Sequence, residues 1–138
     1  MSNTQSNLDR LAAQCAQKII SRAVDEKKVD DKEKKKLAGN VDNTVTKALG
    51  VLQENGVYAC FLYLKAKEKE NGDVVVEEML NLLAGLSFGW GKPVNNSAEE
   101  VLKHITEKVT DNLERLLLAK ESLEQMLIYT RYGTKARG

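Results

Sequence analysis

The residues able to do chemistry in this chain are cations, and they gather where an apolar helix runs out. The stretch LLLAKESLEQMLIYTRYGTKARG ends in Arg131, Lys135 and Arg137, with no carboxylate after Glu124. Lys120 and Arg131 are eleven positions apart, almost three full helical turns, so they project in nearly the same direction, and Lys135 follows Arg131 at i+4. Leu113, Leu117 and Leu127 lie within about 60° of Lys120 on the same wheel, which predicts a cationic line beside the packing face. Such a line is suited to phosphate groups, which it holds without reading bases. Two simpler causes compete. Cations near a helix C-terminus gain roughly 0.3 to 1 kcal/mol from the dipole, and a lysine can snorkel from the edge of an apolar face. Both account for Arg131 and Lys135, but the dipole has faded by Lys120. A second cluster, Lys65 and Lys67 with Lys69 in LYLKAKEKE, is diluted by Glu68 and Glu70.

Other chemistry lacks a constellation. The single histidine, His104, has Glu100 and Lys108 at i−4 and i+4 and reads as a surface or half-buried side chain. Glu77 and Glu78, like Glu99 and Glu100, are helix neighbours that diverge by about 100°. Cys15 and Cys60 sit in apolar helical patterns without a second ligand at metal spacing, as expected of buried reduced thiols. GLSFGWG has the glycines of a phosphate loop but not its Lys and Ser/Thr, so Phe88 and Trp90 should pack down or touch a partner. The sequence predicts no catalytic residue, no metal ligands, no cofactor, and hence no enzyme.

The elements that must position these cations are helical. With 138 residues, 42% hydrophobic and one proline, the chain suits an all-α fold, a single compact bundle of about five to seven helices. One domain should span residues 1–138, with disordered ends at 1–6 and 136–138. Apolar positions from Leu8 to Ala23 keep helical spacing after an N-cap at Ser6 or Asn7. DEKKVDDKEKKK reads as a solvated linker and the first exposed turn of a helix that Gly39 and Asn40 can split. Asn55–Gly56 and Asn71–Gly72 are stop signals around a buried apolar helix from Val57, and Val74–Leu86 forms the next helix. GLSFGWGKPVNNS is the clearest loop. Ser97 with Glu100 and Asp111 with Glu114 read as capping boxes for the last two helices.

Lys and Arg total 21 against 20 acids, so a net charge of +1 requires any polyanion surface to arise by local segregation. The polar N-terminus and the lack of a membrane-length apolar run predict a cytoplasmic protein without membrane contact.

Three colinear stretches, NLDRLAAQCAQKI, LQENGVYACFLYLKAK and LLLAKESLEQMLIYTRYGTKA, resemble the small helical subunit of Cmr-type (type III-B) CRISPR RNA-guided effector complexes, with a weaker match in VVVEEMLNLLAGL. Gly133 and Thr134 depart from the helix formers usual there, and the usual proline is absent around Val41. The resemblance implies a non-catalytic bundle active in antiviral RNA interference. It would stack with copies of itself along guide RNA and target RNA, beside RAMP-type backbone subunits and the large subunit. The phosphate contacts would come from Lys120, Arg131, Lys135, Lys65, Lys67 and Arg137. Two other readings compete. VTKALGVLQENGVYACFLYLKAK has the outline of a helix-turn-helix DNA-binding regulator, although VYACFLYL is too apolar for a major groove. A protein-interaction adaptor is the other.

Overall fold

A computed structural model of the chain describes residues 3–137. It contains six α-helices, α1 Asn3–Ile20, α2 Asp31–Asn55, α3 Val57–Lys67, α4 Glu70–Gly85, α5 Ala98–His104 and α6 Leu113–Arg137, and no strand among the described residues. A π-helical turn extends α1 over Ser21–Asp25 and another extends α5 over Ile105–Val109. This is the all-α bundle the periodicity predicts. α6 has its most extensive contacts with α1 and α2, while α3 packs on α2, α4, α5 and α6. Phe61 and Leu64 of α3 meet a core that includes Leu52, Met79, Leu83, Ile105 and Leu127, all fully buried. No described helix is long and apolar enough to cross a membrane.

Local chemistry explains most boundaries. Asp30 caps α2, its carboxylate accepting the Glu33 N–H at 2.8 Å. The helix then runs unbroken through Gly39 and Asn40, because Ala38, Val41, Val45, Ala48 and Leu52 bury one continuous stripe. It stops at Gly56, whose φ of 99° suits only glycine. Ser97 caps α5 by accepting the Glu100 N–H at 3.3 Å. At α6 the cap is Asn112, which accepts the Arg115 N–H at 3.0 Å, one residue after the predicted Asp111. Ser6 and Asn7, predicted as caps, lie inside α1.

Two predicted features are replaced by glycine-mediated helix contacts. Asn71–Gly72 opens α4 instead of stopping a helix, and Gly72 packs so closely that a Cβ there would lie 2.7 Å from Glu68 Cβ and 2.9 Å from the Leu64 carbonyl oxygen. Gly133 sits inside α6, where a Cβ would overlap Ile20 Cδ1 of α1. The helix continues through Ala136 to Arg137, past the predicted start of disorder, because Arg137 is bonded to Asp25. Residues 1, 2 and 138 of the predicted ends lie outside the described residues.

The packing face of α6 is also rotated from its expected position. Its buried residues are Ala119, Ser122, Leu123, Met126, Leu127, Thr130 and Thr134, whereas Leu113 and Leu117 are 68% and 55% exposed. Ser122, Thr130 and Thr134 satisfy their hydroxyls on backbone carbonyls of their own helix, at 2.9, 2.9 and 2.7 Å. Small hydroxyl residues thus serve as core positions, and a pattern counted in leucines misses them.

Candidate nucleic-acid interface

α6 lies between α1 and α2, and its last turns carry most of the cations singled out from sequence. Lys135 Nζ reaches Asp42 Oδ2 of α2 at 3.2 Å, and Arg131 Nε lies 3.7 Å from Asp42 Oδ1. The second distance is within ion-pair range but too long for a hydrogen bond, which leaves that buried Nε without a hydrogen-bond partner. Arg137 grips Asp25 with Nε at 3.1 Å and Nη2 at 2.6 Å. The guanidinium holds the Asp25 carboxyl below its ordinary range. The positive charge at the end of α6 is therefore met by carboxylates on other elements.

The remaining cations separate. Lys65 is 12% exposed and bonded to Asp73 at 3.1 Å and to the Asn96 carbonyl at 2.7 Å, so it fastens the loop before α5 and leaves the candidate set. Lys67 is exposed at the end of α3. Lys120 is half-buried in mid-α6, and neither it nor Lys67 enters an ion pair among the described residues. The structure does not gather the six into one surface. Arg131 and Lys135 stay together at Asp42, Arg137 turns to Asp25 on the other side of α6, and Lys120 lies about three turns away along the helix.

Packing adds cations that the sequence reading set aside as solvated. Lys35 of α2 and Lys135 of α6 line one shallow groove of about 280 Å³, with Asp42, Gly39 and Thr134. Lys32 precedes Lys35 and Lys36 by three and four positions, so all three share one side of α2. Lys28, Lys32, Lys35 and Lys36 are exposed and unpaired among the described residues. Residues 25–42 and 131–137 together hold nine cations against six carboxylates, so charge is segregated despite the net +1. Lysines in the first turns of a helix oppose its dipole, so α2 does not need them for stability. The missing signal was tertiary: α2 and α6 meet tip to tail over more than ninety residues of sequence.

Elsewhere, polar groups serve the fold. Buried Glu78 is bonded by Arg22 Nη1 at 2.8 Å and Asn81 Nδ2 at 3.1 Å, and Arg22 also bridges to Glu77. Burial pushes the Cys15 thiol up to about 11 and the Cys60 thiol up to about 12, and both cysteines are free. His104 is buried, deeper than expected, with Nε2 lacking a partner and a pKa lowered by desolvation and by Lys108. Trp90 is buried and packs on Phe88 with ring centroids 4.9 Å apart, and Arg115 caps the Phe88 ring at 5.2 Å. No group of three or more His, Cys, Asp or Glu able to hold a metal ion occurs among the described residues.

Fold and site together define an all-α bundle with a cationic end where the start of α2 meets the end of α6. No protein-family model matches this chain, and no curated protein or solved structure is detectably similar to it.

Proposed function

We propose that the protein is a non-catalytic RNA-backbone-binding subunit of a ribonucleoprotein assembly, of the kind represented by the small subunit of type III-B CRISPR effector complexes. The observation that carries this reading is the row Lys32, Lys35 and Lys36 on one side of α2, exposed and unpaired among the described residues, with Lys35 sharing a groove with Lys135. Such a row neutralises phosphates without reading sequence, as required where base pairing with a guide supplies specificity. The ion pairs to Asp42 and Asp25 do not oppose it. Partly exposed pairs are worth about 0 to 1 kcal/mol, so Lys135, Arg131 and Arg137 can exchange a carboxylate for a phosphate. The resemblance in the three colinear stretches supplies the particular complex.

The exposed Leu113 and Leu117, one turn apart on α6, favour a protein contact as well. They suit an adaptor, and equally a subunit that docks on neighbours while holding RNA. The helix-turn-helix reading loses support because α3 is packed on four helices and its exposed large side chains include Tyr58 and Leu62. The test is fluorescence anisotropy with unstructured single-stranded RNA. Changing Lys32, Lys35 and Lys36 to Gln should weaken binding at least tenfold with unchanged thermal stability, and Asp42→Asn should strengthen it. Equal binding by wild type and the triple variant would refute the interface, while protein association without RNA binding would leave the adaptor.

A further inference from the structure

On the opposite side of α6 from the Lys35–Lys135 groove, α1 and α6 enclose an open cleft of about 370 Å³. Its floor is apolar, made by Ala16, Ile20 and Gly133, and it exists in this form because glycine at 133 lets Ile20 approach the α6 backbone. Tyr129 and Tyr132 line it from α6, one turn apart. The Tyr129 hydroxyl donates to Asp9, which fixes that wall, whereas Tyr132 keeps 69% of its surface in solvent. The rim is polar: Asp9 and Gln17 from α1 offer an acceptor and an amide, and Arg137 lies on the lining with Nη1 outside its bidentate grip on Asp25.

These groups match one chemical shape. A flat heteroaromatic ring would lie over the apolar floor and stack on Tyr132, its polar edge would face Asp9 and Gln17, and an anionic substituent would reach Arg137. Aromatic platforms beside cations hold single-stranded bases in this way, and stacking contributes roughly 1 to 3 kcal/mol per base. We propose that the α1–α6 cleft binds a nucleotide, taking one unstacked base against Tyr132 with its phosphate at Arg137. Whether that nucleotide is free or part of a strand is a question of source. Only the strand version rests on the RNA-binding reading, and there the basic groove and the cleft, on two sides of the same last turns of α6, would hold separate segments of one strand.

The experiment is an amide NMR titration of the full chain with AMP, with UMP, and with single-stranded octamers of adenylate and uridylate. The cleft predicts saturable shifts at Ala16, Gln17 and Gly133, and a 5- to 150-fold weaker affinity in Tyr132→Ala, that being roughly 1 to 3 kcal/mol of stacking, with Tyr132→Phe binding as wild type. Shifts with mononucleotides alone identify a free-nucleotide site, and shifts with octamers identify a strand site. No shift at these amides with any of the four, or undiminished affinity in Tyr132→Ala, overturns the proposal. Octamer binding that moves only α2 amides overturns the cleft and leaves the basic groove standing, whereas mononucleotide shifts without octamer binding do the reverse.

Discussion

At the scale of single residues, Glu78 and His104 set the sharpest constraints on stability. Glu78 is 2% exposed, and Arg22 from the π-helical turn after α1 supplies the charge that lets it stay buried. Truncating one member of a buried pair leaves the other uncompensated. Arg22 is itself 35% exposed and Asn81 still donates to Glu78, so solvent screens part of the loss. Arg22→Ala should lower folding stability by about 1 to 3 kcal/mol, read by chemical denaturation, with Arg22→Lys intermediate because it cannot span Glu77 and Glu78 together. His104 works through pH. Its folded pKa lies below the ordinary 6.5, so the unfolded chain takes up the proton first. Stability is complete above about pH 6.5 and declines as pH falls through the folded value. Denaturation midpoints measured between about pH 7 and 5.5 should drop in the wild type and drop less in His104→Gln. Neither role is visible in sequence. Arg22 and Glu78 are 56 positions apart, and the spacing around His104 gives its helix neighbours but not the elements that bury it.

At the scale of elements, glycine decides how closely helices meet. Gly39 and Gly133 both sit inside long helices, yet a Cβ at 39 meets nothing within 4 Å whereas one at 133 strikes Ile20. Gly39→Ala should raise stability by about 0.5 to 1 kcal/mol through helix propensity. Gly133→Ala gains the same propensity but must displace the buried Ile20 Cδ1, so its stability should fall short of that of Gly39→Ala by about 1 to 3 kcal/mol. Ile20→Val should recover part of that deficit in the double variant; equal thermal shifts for the two alanine variants would contradict the contact. Much of the element structure is legible in the chain. The 3.6-residue stripes locate the helices, and Gly56 and Ser97 mark true boundaries. Gly133 and Gly72 mislead because the same residue that ends a helix also allows another helix to come near. Leu113 and Leu117 mislead because a wheel records hydrophobicity, while the face that α6 buries mixes Leu123, Met126 and Leu127 with the small residues Ala119, Ser122, Thr130 and Thr134.

At the scale of the whole molecule, the cationic end is a product of topology. Sequence reveals Arg131, Lys135 and Arg137 as a cluster and hides that Asp42 and Asp25 wait for them on other elements. It also presents Lys32, Lys35 and Lys36 as a mixed solvated run, and only the α2–α6 packing sets Lys35, on the side of α2 it shares with the other two, beside Lys135. The end so formed carries six carboxylates among nine cations, so its grip on a polyanion should be moderate and strongly dependent on salt. That dependence is the most direct measurement of the central claim: the affinity of the full chain for unstructured single-stranded RNA, followed from about 50 to 200 mM salt. With about four phosphates contacted, log K should fall against log salt with a slope near −3, and neutralising Lys32, Lys35 and Lys36 should flatten it by about 2. A slope near zero, or one unchanged in the triple variant, would show that the α2–α6 end does not hold RNA.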